Sequence, residues 1–112
     1  MNKYNILENL EYKDKVAITV MFESEFSKEI RIVFKQDQVM KEHKTSYPIT
    51  VEIFEGEILF GVNGQTHTLT RGDIVSLEAN VPHDLKANKN SIVRLSLSKK
   101  DSINRVKGVL KL

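Results

Sequence analysis

Residues 54–83 read FEGEILFGVNGQTHTLTRGDIVSLEANVPH, and this stretch decides the fold class. Three of its four glycines fall where a strand must bend or turn. Glu55-Gly56-Glu57 places a residue without a side chain between two apolar runs, where a strand bends or rounds a barrel corner. Asn63-Gly64 stands between alternating runs, and both residues accept the positive φ that a two-residue hairpin requires. Arg71-Gly72-Asp73 marks a second tight turn, and Val81-Pro82 ends a loop just before His83. His43 lies upstream of the first of these strands. Two histidines bracketing a hairpin-rich segment point to a site inside a barrel.

Outward from this stretch the dominant period remains two. Val16, Ile18, Val20 and Phe22 alternate with Ala17, Thr19 and Met21, and Ile30, Ile32 and Phe34 with Arg31 and Val33. Ile49, Val51 and Ile53 alternate with Thr50, Glu52 and Phe54, and Val93, Leu95 and Leu97 with Arg94 and Ser96. Short strands are also expected at 58–62, 66–70, 74–77 and 83–87. Such strands, closely spaced with turn residues between them, predict an all-β barrel or sandwich. Helix is expected only over residues 2–10 and 100–110. Without a repeat or a low-complexity linker, residues 1–112 are expected to form a single domain, with a barrel core at about 28–98 and polar extensions at either end.

Composition narrows the function. Hydrophobic residues at 40% and charged residues at 29% are ordinary globular values. The net charge of +2 arises from interspersed lysines, arginines and acids, so no nucleic-acid partner is expected. No membrane association is expected either, because no apolar run approaches the ~20 residues needed to span a bilayer. The opening residues MNKYNILENLEYKDK lack the apolar block of a secretory signal. The chain has no cysteine, which excludes disulfide and thiolate chemistry, and a cytoplasmic location is expected. Apolar residues lie on both faces of some strands, notably Val33 beside Ile32 and Phe54 beside Ile53. A covered outer face follows, either at a homodimer contact, which is the preferred expectation, or under the N-terminal arm of the same chain.

The pattern from about Ile30 to Leu97 resembles the cupin family, specifically the small single-domain cupins. The family's second motif runs G-x5-P-x-G-x2-H-x3-N. Gly72 and His83 match it, while Glu78, Asn80 and Ala87 replace the proline, second glycine and asparagine. The first motif runs G-x5-H-x-H-x3,4-E-x6-G. His43 and Gly56 match, Asp37 takes the first glycine's place, Thr45 replaces the second histidine, and Ile49 or Thr50 replaces the glutamate. The resemblance implies an antiparallel β-barrel of the double-stranded β-helix or jelly-roll type.

It also implies a metal site that this sequence keeps only in part. In the family, three histidines and a glutamate hold a divalent metal inside the barrel. Here His43 and His83 alone remain, so the expectation is no cofactor or a weakly bound divalent ion. Thr45 is a poor ligand, Ile49 is none, and Thr50 and Glu52 have the opposite strand parity. His67 shares the face of Leu69, and so either approaches the same cavity or is an exposed strand histidine. Asp84 follows His83 directly and points to the opposite face, which argues against a histidine–aspartate acid–base pair.

The expected site is a ligand pocket at the barrel mouth made by His43, Thr45, Tyr47, Ile49, Val51 and His83, with His43 and His83 as the metal candidates. The function read from it is a small-molecule-binding domain. The alternative is a metal-dependent enzyme of dioxygenase or isomerase type with a non-standard metal site. A third reading is a stand-alone relative of the sugar-sensing domains attached to transcription regulators. As a mouth residue, His83 is expected to add little to core packing.

Overall fold

The computed structural model describes residues 1–99, so the expected helix at 100–110 lies outside the described residues. The strands are β1 (Ala17–Glu23), β2 (Ser27–Phe34), β3 (Val39–His43), β4 (Ile49–Glu55), β5 (Glu57–Val62), β6 (Gln65–Thr70), β7 (Ile74–Leu77), β8 (His83–Ala87) and β9 (Ser91–Ser98). They form two antiparallel sheets, ordered β1-β2-β9-β4-β7 and β3-β8-β5-β6. From β2 onward the chain passes repeatedly from one sheet to the other, which is the winding of a double-stranded β-helix. The described residues contain no helix. Where helix was expected at 2–10 there is only a turn at residues 6–9, followed by extended chain.

Strand alternation builds the core. Ile30, Ile32 and Phe34 of β2, Ile49, Val51 and Ile53 of β4, and Val93 of β9 face inward from the larger sheet. They meet Ile58, Phe60, Leu69, Leu85 and Ala87 from the smaller one. The turns follow the sequence reading. Asn63 and Gly64 take φ of 53° and 74°, so Val62 and Gln65 pair directly at the hairpin's end. Asp73 accepts a hydrogen bond from the Thr70 amide at 2.8 Å and thereby closes the turn through Gly72. At Gly56 the chain leaves β4 for β5 with φ of 100°. A side chain there would run into the backbone of Asn90 and Ser91. That close approach lets Ser91 Oγ accept the Glu57 amide at 3.0 Å.

The outward face of the larger sheet is covered in part by the chain's own N-terminal arm. Arg31, on the face of β2 opposite Ile30 and Ile32, donates from one terminal nitrogen to the carbonyls of Ile6 and Glu8 at 2.9 and 2.7 Å. Its guanidinium also lies over the Tyr4 ring. Val33 and Ile92, a cross-strand pair on the same face, are both buried. The arm is thus docked at Arg31, on the same face of β2 as the buried Val33.

β1 departs from strict alternation. A bulge between Val20 and Phe22 shifts Phe22 off the face shared by Ile18 and Val20. Both Ile18 and Val20 pair with inward residues of β2, yet they are largely exposed. β1 is the outermost strand of the wider sheet among the described residues.

Candidate functional site

His43 and His83 are direct cross-strand partners at the ends of β3 and β8. Their rings meet edge to face with centroids 4.4 Å apart. The environments differ sharply. His83 is buried, at 4% exposure, and stacks on Phe60 with centroids 5.7 Å apart, whereas His43 is exposed. The expectation that His83 adds little to core packing is corrected here, because its ring fills space between Phe60 and His43.

Both rings are held in one tautomer. The Nδ1 atom of His43 lies 2.7 Å from the carbonyl of Lys41, and that of His83 lies 2.9 Å from the carbonyl of Val81. A carbonyl only accepts, so each Nδ1 carries a proton, and in the neutral ring Nε2 is the acceptor. Two imidazole acceptors thus stand together, with their orientation set by backbone rather than by carboxylates.

Beneath them lies a narrow apolar cavity of about 20 Å³, lined by Ile32, Met40, Ile49, Val51, Leu85, Val93 and Leu95 as well as both histidines. It has room for about one water molecule. Of the residues expected at the pocket, His43, Ile49, Val51 and His83 come together here. Thr45 and Tyr47 do not line this cavity. They belong to the loop at the rim, where Thr45 Oγ1 donates to the Tyr47 carbonyl at 2.8 Å and the Tyr47 ring is exposed. The Thr45 carbonyl accepts from the Asn80 amide at 2.7 Å, which ties the two mouth loops together. His67 shares the inward parity of Phe60 and Leu69, but it is exposed on the edge strand β6 and lies outside the cavity. Asp84 points outward against Gly61, as strand parity requires.

Met40 was missed by sequence reasoning. It lies three residues before His43, so strict alternation puts the two on opposite faces. The bulge in β3 sets two residues, Lys41 and Glu42, against Asp84 of β8, pairing Met40 with Leu85 and His43 with His83. That extra residue turns both side chains inward. No sequence signal announces it.

Among the described residues, no three histidine, cysteine, aspartate or glutamate side chains converge in a way that could hold a metal ion. The donor set therefore does not fit the divalent metal that the motif implies. A larger groove of about 430 Å³ lies outside the smaller sheet, between Glu42, Asp84 and the Asn63-Gly64 hairpin. It is open and shares no residue with the histidine pair.

These observations define a class: a double-stranded β-helix with a histidine pair at the mouth of an apolar interior. The chain belongs to the cupin domain family, whose model matches residues 31–98. Solved structures agree on the fold. An RmlC-like cupin protein from Desulfovibrio desulfuricans is 24% identical, with a TM-score of 0.80 over 88% of this chain and 96% of its own. A conserved protein of unknown function from Streptococcus pyogenes is 15% identical, with a TM-score of 0.77 over 89% of each chain. A cupin superfamily protein from Desulfitobacterium hafniense is 13% identical, with a TM-score of 0.75 over 81% of this chain and 84% of its own. At these identities the likeness shows the fold alone. A search of curated proteins found no match.

The family frame explains two departures from its motifs. Asp37 and Asn80 stand at glycine positions, and both take positive φ, 74° and 65°. Aspartate and asparagine are among the residues best able to adopt that conformation. The backbone shape is retained although the glycines are gone.

Proposed function

We propose that this cupin binds a small molecule at the barrel mouth, with His43 and His83 as its polar anchors. The observation carrying the proposal is the pair of imidazoles locked as Nδ1–H tautomers over an apolar cavity. Two adjacent lone pairs select a guest that donates hydrogen bonds, such as a hydroxyl-bearing compound. The cavity beneath is too narrow for a whole organic ligand, so the guest lies across the mouth, against the exposed edge of His43 and the rim loop of Thr45 and Tyr47.

The test is a screen of small hydroxylated and carbonyl compounds by two-dimensional NMR, following the His43 and His83 ring signals. A hit that shifts both rings, and whose binding weakens in His43→Ala, supports the reading. Hits that leave both rings unmoved refute it.

A metal-dependent enzyme is the second reading. Histidine ligands of metals commonly donate Nδ1–H to a backbone carbonyl, and both rings do so here. That reading needs further ligands which the described carboxylates, cysteines and histidines do not supply. Retention of stoichiometric iron, nickel, manganese or zinc through chelator treatment would favour it.

We also propose a homodimer. Among the described residues, Ile18, Val20 and Phe22 leave apolar surface exposed along β1.

A further inference from the structure

The mismatch between the donor set and a divalent metal has a direction. Met40, His43 and His83 line one small cavity, and the β3 bulge is what turns the methionine and the first histidine to the same side. We propose that these three side chains bind a soft monovalent cation, Cu(I), through the thioether sulfur and the two Nε2 atoms. The inference deepens the reading of the histidine pair as the binding site and rests on it.

Charge is the first argument. None of the three donors is a carboxylate or thiolate, and the remaining lining is aliphatic. A divalent ion would bring two uncompensated charges into a poorly solvated place, whereas Cu(I) brings one. Softness is the second. A thioether is a poor ligand for magnesium or manganese and a good one for Cu(I), while imidazole serves either. Preorganisation is the third. The Lys41 and Val81 carbonyls already hold both rings through Nδ1, so little ordering remains when the ion arrives. Size is consistent, since the cavity of about 20 Å³ suits a single ion, and the exposed His43 provides the way in.

The experiment is an anaerobic titration of the full-length chain with Cu(I) against a chromogenic chelator, with Ag(I) as a redox-inert analogue followed by NMR. One equivalent should bind, with Zn(II) and Ni(II) about a hundredfold weaker or worse. Met40→Leu keeps the volume and removes the sulfur, and should weaken Cu(I) about tenfold or more. X-ray absorption of the copper-loaded protein should show a sulfur neighbour that Met40→Leu abolishes. His67→Ala should change nothing, which separates the site from adventitious binding at an exposed histidine. Binding equally tight in Met40→Leu, or no binding of Cu(I) at micromolar concentrations, overturns the inference. If Cu(I) fails while a hydroxylated guest still shifts both histidines, the copper site alone falls. If neither ligand moves those signals, the pocket reading falls with it.

Discussion

The two histidines touch each other, yet truncating them should cost very different amounts of stability. In His83→Ala the lost ring is buried, and the vacated volume, on the order of 60 Å³ at about 24 cal/mol per Å³, costs about 1.5 kcal/mol. Losing the contacts with Phe60 and His43 adds roughly 0.5–1.5 kcal/mol. The Val81 carbonyl near the mouth recovers water, so its lost bond adds no more than about 0.5–1 kcal/mol. The total is about 2–4 kcal/mol, a large part of the ~5–15 kcal/mol that holds an ordinary domain together. In His43→Ala the ring is exposed, and the cost should stay under about 1 kcal/mol. Urea unfolding of both variants and the double mutant, with a shared m-value, measures these terms. Because the rings are in contact, the double mutant should be non-additive by roughly 0.5 kcal/mol or more. Equal costs for the two single variants would refute the burial argument. It also follows that His43→Ala, not His83→Ala, is the cleaner probe of ligand binding.

Gly56→Ala should destabilise by about 2–4 kcal/mol, combining a positive-φ penalty with displacement of the Asn90–Ser91 backbone, and chemical denaturation reads it directly. Arg31→Met should release the N-terminal arm by removing two charge-assisted bonds, at roughly 2–4 kcal/mol of arm docking, and limited proteolysis near residues 3–13 should accelerate. The Lys99 ammonium bonded to Glu23 holds that carboxyl below the usual glutamate range. Its stabilising contribution is present above the unfolded carboxylate value and is lost as pH falls through the folded one. Glu23→Gln should therefore flatten a small part of the acid limb between about pH 5 and 3, an effect that 0.5 M salt should erase in the wild type because the pair is exposed. Light scattering at tens of micromolar should report a dimer that Ile18→Lys with Val20→Lys returns to monomer; a wild-type monomer would count against the β1 edge as an interface.

Strands and turns were legible because one physical rule governs each. Inward alternation in β2, β4 and β9 follows from the pleat, and the 63–64 hairpin from the positive φ of both residues. The failures occur where the rule is interrupted by a single residue. A bulge in β1 moved Phe22 off the face of Ile18 and Val20, and another in β3 carried Met40 to the side of His43. Bulges leave little trace in hydrophobic pattern, because they depend on the partner strand's register. The N-terminal segment misled for a different reason. Residues 2–10 read weakly as helix, but the Ile6 and Glu8 carbonyls are engaged by a buried arginine 23–25 positions away. A long-range partner of this kind overrides local propensity.

The departures from the cupin motifs divide by what each position demands. Where the demand is conformational, the replacement satisfies it: Asp37 and Asn80 reproduce the positive φ of the missing glycines. Where the demand is chemical, it does not. Ile49, in the glutamate's place, is buried and lines the cavity with a hydrocarbon surface. Thr45, in the second histidine's place, spends its hydroxyl on the Tyr47 carbonyl. The backbone shape is thus kept at Asp37 and Asn80, while Ile49 and Thr45 leave the interior with fewer ligating groups than the motif provides. The two remaining histidines keep their Nδ1 carbonyl partners in that setting, which is why the proposed guests are a hydrogen-bond donor or a cation of low charge. Both proposed ligands suit imidazole and thioether donors better than a hard divalent ion does.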